Sequence, residues 1–168
     1  MSLPKVLKGF TVRVDGEGWL GETESIELPK LTRKTEEWRG GGMDGGIDID
    51  MGPEKLETTV TCGGLMKAAF AHYGDLSVSK VPLMFYGSYE GDDGVSAVEI
   101  EMRGHWTEFE MGSAKSGDKT EHKFKASLTY YKLVIDGTTK IEIDLVNLVF
   151  NVEGVDRLEA RRRALQLS

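Results

Sequence analysis

The feature that most constrains this chain is a change of phase inside its alternating runs. Phe124, Ala126, Leu128 and Tyr130 alternate with Lys123, Lys125, Ser127 and Thr129, and then Tyr131, Leu133 and Ile135 carry the next apolar set. Val98, Ile100 and Met102 alternate in the same way with Glu99, Glu101 and Arg103, after which the apolar set moves to Phe109 and Met111. Period-2 alternation places successive side chains on opposite faces of a strand. A one-residue slip exchanges those faces, so each run predicts a strand with a β-bulge or one that passes between layers.

The remaining signals are also those of strands. Phe10, Val12 and Val14 alternate up to the turn residues Asp15-Gly16-Glu17-Gly18, and residues 19 to 31 read as extended. Asp136-Gly137 closes the long run, and Ile141, Ile143 and Leu145 open a return strand. Met66, Ala69, Phe70 and Tyr73 fall at i, i+3, i+4 and i+7 before Gly74, which predicts a helix over 65–73. Asp156 and Glu159 have capping-box spacing and predict a short C-terminal helix over 156–166. No Pro- or Ser-rich linker divides the 168 residues, so 1–168 reads as a single domain. Its expected class is mainly β, a sandwich or barrel with one short flanking α-helix and one long polar loop.

Composition narrows the function. A net charge of −7 argues against a surface that grips nucleic acid, because holding phosphates needs an excess of Lys and Arg. The first twenty residues hold no secretory apolar run, and no stretch approaches the length of a membrane span. The single cysteine, Cys62, has no intrachain partner, which points to a reducing cytoplasm as the place of folding.

Residues with catalytic or ligating chemistry do not gather into motifs. His72, His105 and His122 are far apart, without zinc-ligand spacing. No Ser sits in a G-x-S-x-G elbow, and Cys62 before Gly63-Gly64 reads as a small apolar residue at a strand end. Glu99, Glu101, Glu108, Glu110, Glu142 and Asp144 alternate along strands, a pattern that solvated faces explain without an acid/base pair. Arg161, Arg162 and Arg163 suit the last turn of a helix or the acids of a neighbouring chain.

The stretch KLTRKTEEWRGGGMDGGIDIDMG, 30 to 52, stands apart. It lacks the Lys-Ser/Thr of a phosphate loop, and Asp44, Asp48 and Asp50 lack calcium-loop spacing. A flexible linker would not carry Leu31, Trp38, Met43, Ile47, Ile49 and Met51. Charged ends, two large anchors and glycines for close approach describe an interaction loop on a β-domain.

The run 28–57 that contains this loop closely resembles the major tail tube proteins of contractile-tailed bacteriophages and phage-tail-like bacteriocins. KVLKGFTVRVDG near the start, YYKLVIDG at 130–137, EIDLVN at 142–147 and NVEGVDRLEARRRAL at 151–165 resemble the same family in the same order. The resemblance covers essentially the whole chain, least of all 75–120. It implies a β-sandwich with a flanking helix, six copies closing into a ring whose inner strands form a continuous barrel, and rings stacking into the tube inside a contractile sheath. No catalysis, cofactor or metal is implied. The implied partners are further copies of the chain and the sheath, baseplate and tape-measure proteins. DNA would pass along the lumen without specific binding, and the implied location is the virion tail, without a membrane anchor.

On this resemblance Lys30, Leu31, Arg33, Lys34, Glu36, Trp38, Arg39, Met43 and Asp44 are the expected contacts between subunits and rings. The cations would pair with a neighbour's acids, and Trp38 and Met43 would fill its pockets. The helix at 65–73 would face the sheath. Glu99, Glu101, Glu142 and Asp144 are candidate lumen acids that repel DNA, or else they face solvent or sheath. Two other readings stay open: the tube of a DNA-free bacteriocin or type VI secretion machine, and a β-barrel that binds a small ligand or sugar, which an apolar pocket without ring formation would favour.

Overall fold

The phase changes expected from the sequence are bulges between the two longest strands. The computed structural model describes residues 1–167; Ser168, the end of the expected single domain, lies outside the described residues. The strands are β1 (Val6–Val14), β2 (Glu17–Gly18), β3 (Thr23–Glu27), β4 (Arg33–Trp38), β5 (Ile47–Pro53) and β6 (Leu56–Cys62). They continue as β7 (Val81–Gly91), β8 (Gly94–Glu110), β9 (His122–Ile135), β10 (Thr138–Asp144), β11 (Val149–Val152) and β12 (Val155–Asp156). Arg103 opposes Tyr130 and Gly104 opposes Leu128, so Thr129 is an extra residue in β9; Thr107 is likewise extra in β8, between Trp106 and Glu108. The Thr129 bulge lets Leu128 and Tyr131, three positions apart, both face the core.

These bulges divide one antiparallel sheet into two layers over a single core. In one layer the order is β12-β11-β10-β9-β8-β7-β1-β2; in the other, β3 and β6 join the first half of β9, which pairs with the second half of β8. Val12, Leu83 and Phe85 of the first layer share the core with Leu56, Val60 and Phe124 of the second. Trp19, fully buried, closes it against Phe124 at 5.8 Å between ring centroids. Gly104 sits where the layers part: a Cβ there would lie 2.1 Å from the Ser127 carbonyl oxygen. Asp15-Gly16 and Asp136-Gly137 form the expected tight turns, all four with positive φ.

Three local expectations change. The internal helix is 3-10 rather than α and spans only Lys67–His72, with N–H bonds from Ala69 to the Met66 carbonyl and from Tyr73 to the Phe70 carbonyl. These bonds close over three residues rather than four, which is the tighter 3-10 ladder used in short pieces. The α-helix is the C-terminal one, α1 (Glu159–Ala164), inside the expected 156–166. Its N-cap is Leu158; Asp156 instead accepts the Leu158 N–H at 3.0 Å and pairs with Arg162. Leu145 lies in the turn after β10, where Asp144 accepts the N–H groups of Val146 and Asn147.

Candidate functional site

The stretch expected as an extended loop is an ordered hairpin. β4 and β5 pair only with each other, in a two-stranded sheet separate from the main one, and all six residues of β4 are exposed. The hairpin nevertheless continues the register of the body. Glu27 opposes Thr59 in β3 and β6, and Arg33 opposes Pro53 in β4 and β5. Six residues forward on one strand therefore match six back on the other, with the Glu54 N–H on the Thr32 carbonyl at 2.8 Å between them. Residues 23–62 are thus one antiparallel ribbon. Its proximal half is part of the second layer, and its distal half stands clear as an arm.

Directly opposed residues share a face of a β-ribbon. Trp38 opposes Ile47 and Glu36 opposes Ile49, whereas Thr35 opposes Asp50 and Glu37 opposes Asp48. One face of the arm is therefore largely apolar and the other polar. Trp38 is 58% exposed, and Ile47, Ile49 and Met51 are exposed beside it. Exposed apolar side chains grouped on one projecting face mark a surface that another protein covers.

The root of the arm is braced. Arg33 donates through Nε to Asp50 Oδ2 at 2.7 Å and through Nη2 to Oδ1 at 2.9 Å, and its guanidinium lies 5.4 Å from the Phe150 ring centre. Asp50 also accepts the Gly52 N–H at 2.8 Å, beside the bulge at Met51. Arg33 first, and then this N–H, hold the Asp50 carboxyl below the usual carboxylate range. Beneath lies an apolar cleft of about 110 Å³, lined by Leu31, Pro53, Leu56, Ile141, Ile143 and Phe150 among others.

Three of the nine expected contact residues thus shape the arm itself. Arg33 was expected to pair with a neighbour's acid; its partner is Asp50 of the same chain. Arg39 donates to the Met43 carbonyl at 3.2 Å, and half-buried Met43 accepts the Gly40 N–H on Sδ at 3.0 Å. Lys30, Leu31, Lys34, Glu36, Trp38 and Asp44 are exposed. Ile47 and Ile49, which complete the apolar face with Trp38, were not among the nine, although the alternation in IDID was their signal.

The four candidate lumen acids lie on one face of the first layer. Glu101 opposes Lys132, which opposes Glu142; Arg103 opposes Tyr130, which opposes Asp144; Glu99 is two residues from Glu101. The face is largely self-paired. Tyr130 donates to Glu142 Oε2 at 2.6 Å, Asn151 Nδ2 donates to Oε1 at 3.3 Å, and Arg103 lies 3.9 Å from the Tyr130 ring centre. Burial, then the Glu142 bond, push the Tyr130 phenol up.

The remaining chemistry-bearing residues stay scattered. His72 sits 3.0 Å from Asp15 and 3.5 Å from Asp75, His105 is in β8, and His122 is buried at the start of β9. No group of three or more His, Cys, Asp or Glu suited to a metal ion exists among the described residues. Cys62 is buried at the end of β6, and burial pushes its thiol up to about 11. Arg162 and Arg163 pair with Asp156 and Glu159 of the same chain. No helix among the described residues is long and apolar enough to cross a membrane.

A curled β-sheet with an ordered, amphipathic and uncovered arm is the build of a self-assembling structural subunit. The family model of phage tail tube protein FII matches residues 4–165, and the chain belongs to that family. It is 40% identical to the tail tube protein of Escherichia phage P2, covering 99% of this chain and 100% of that one. It is 39% identical to the major tail tube protein of Serratia phage KSP20, covering 92% and 91%. Its fold is similar to a chain in the extended sheath–tube complex of the extracellular contractile injection system PVC, with a TM-score of 0.58, 14% identity and coverage of 80% and 92%. A chain of the anti-feeding prophage baseplate gives 0.61, 10% identity and coverage of 80% and 97%. The protein is a structural component of the virion tail.

Proposed function

We propose that six copies of this chain close into a ring and that rings stack into the hollow inner tube of a contractile phage tail. The carrying observation is the arm: an apolar face of Trp38, Ile47 and Ile49 held ready by the Arg33 brace and left uncovered by its own chain. Lys30, Leu31, Lys34, Glu36 and Asp44 flank that face and supply register against a second copy. Association in which different surfaces of identical copies meet gives rings, and stacking the rings gives a filament. The sheath, baseplate and tape-measure proteins are the further partners, and DNA passes along the channel without specific binding. The net charge of −7 supports such passage, because an anionic wall does not retain DNA. The role is mechanical and needs no catalysis, cofactor or metal.

Relatives from two phages at about 40% identity favour a genome-conducting tail over an injection system, since three solved chains of such systems share 15% or less. Sedimentation across a concentration series tests the reading. The expected result is a species with the mass of six chains, giving way to larger stacks as concentration rises. Monomer at every concentration would refute it.

A further inference from the structure

We propose that Leu76 of one copy seats in the apolar slot beneath the arm of the next, a knob-in-slot contact repeated around the ring. This rests on the tube reading and names the surface that completes the arm's contact. The arm alone is too small to hold a ring. Trp38, Ile47, Ile49 and Met51 are each about half exposed, so at roughly 200 Å² per large side chain they offer about 400 Å². A stable interface buries about 800 Å² on each partner, and a second patch is therefore needed.

The slot adjoins the root of the arm. It opens between the two layers, where Leu31 and Leu56 of the ribbon face Ile141, Ile143 and Phe150 of the first layer, and only Arg33 and Glu54 carry charge at its border. A dry apolar cavity of roughly 150 Å³ admits a benzene ring, so one of about 110 Å³ admits the isobutyl group of a leucine.

The knob lies on the opposite flank. Residues 63–80 form a strap from the end of β6 to the start of β7 that no strand pairs with. Phe70 and Tyr73 rest on the Phe109 ring at 5.3 and 4.8 Å, His72 sits 3.0 Å from Asp15, and the Ser79 and Thr129 hydroxyls are 2.6 Å apart. These contacts place the strap beside β8, β7 and β1, whereas the slot lies beside β6, β10 and β11, across β9. Copies related by rotation present these two flanks to each other in turn.

Leu76 is 98% exposed, with Tyr73 and Val78 exposed beside it. The turn that carries it is fixed. Gly74 has a φ of 83°, the Asp75 N–H bonds the His72 carbonyl at 3.3 Å, and the Asp75 carboxylate accepts the Ser77 N–H at 3.4 Å. A single exposed leucine needs no explanation by itself. One held out by an ordered turn, beside an exposed ring and matched in size by a slot on the other flank, does.

Charge agrees. Arg161 borders a second cleft that shares Arg33, Pro53 and Phe150 with the slot. It is the one member of the arginine triplet without an ion pair among the described residues. Seating Leu76 brings the neighbouring Asp75 towards it.

Two measurements on the full chain test the contact. Leu76→Ala should raise the critical concentration for tubes at least tenfold, while the Tm of dilute protein stays within about 2 °C of wild type. Ser77→Cys combined with Thr32→Cys, at the rims of knob and slot, should give a ladder of oligomers with a short bis-maleimide, since the native Cys62 is buried. Each single variant should give nothing beyond dimers. Leu76→Ala tubes that form at the wild-type concentration, or a Tm lowered by more than about 6 °C, would overturn the contact and leave the tube reading intact. So would a double variant that yields no ladder where wild-type protein forms tubes. Wild-type protein that forms no tube removes both.

Discussion

Replacing Trp38 with Ala separates the stability of the subunit from the stability of the tube. Trp38 is 58% exposed, and it projects from an arm that shares no strand pairing with the main sheet. Its loss from the free chain should cost no more than about 0.5 kcal/mol, as for other surface substitutions, and lower Tm by about 2 °C at most. Assembly is another matter. If a neighbour covers the exposed part of a side chain that presents about 200 Å², roughly 115 Å² leaves water, worth about 3 kcal/mol at 25 cal/mol per Å². That is about a hundredfold rise in the critical concentration for tubes. Light scattering over a dilution series measures the critical concentration, and calorimetry of dilute protein measures Tm. An unchanged critical concentration, or a Tm lowered by more than about 6 °C, would refute the reasoning, the first by removing Trp38 from the interface and the second by placing it in the core.

Gly104→Ala should do the reverse and damage the subunit itself. The added Cβ meets the backbone of β9, 2.1 Å from the Ser127 oxygen and 2.9 Å from the Leu128 Cα, so about 2–3 kcal/mol and about 5–10 °C of Tm should be lost; an unchanged Tm would show that the bend tolerates a side chain there. The Arg33 brace should weaken in acid. The Asp50 carboxyl is held low in the folded chain, so its contribution is complete above about pH 4 and is lost as pH falls through the depressed value. Exchange protection of β4 and β5 should therefore be flat from pH 7 to 5 and drop only in stronger acid; a drop near pH 6 would contradict this. Cys62, buried and with its thiol raised, should react with maleimide only after unfolding, which mass spectrometry of the native protein can check.

Much of the fold was legible because side-chain alternation is a local signal. The switch from Leu128 and Tyr130 to Tyr131 and Leu133 announces the Thr129 bulge, and Asp136-Gly137 announces its turn, without knowledge of the rest of the chain. The arm was legible as an interaction element through Trp38 and the glycines, but not as a hairpin. The unbroken register from Glu27/Thr59 to Arg33/Pro53 is a relation between residues 20 or more positions apart, and no local pattern carries it. The partner of Arg33 was hidden for the same reason, since Asp50 is reached only once the ribbon folds back. The 3-10 helix is not legible because Met66, Ala69, Phe70 and Tyr73 have spacing that suits an α-helix, whereas the backbone bonds of the segment close over three residues.

Electron microscopy of the purified chain at high concentration tests the central claim most directly. The account predicts hollow rings that stack into tubes of uniform width, with a central channel visible in end views. A uniform field of single compact particles at every concentration, each with its arm folded back on its own body, would contradict it.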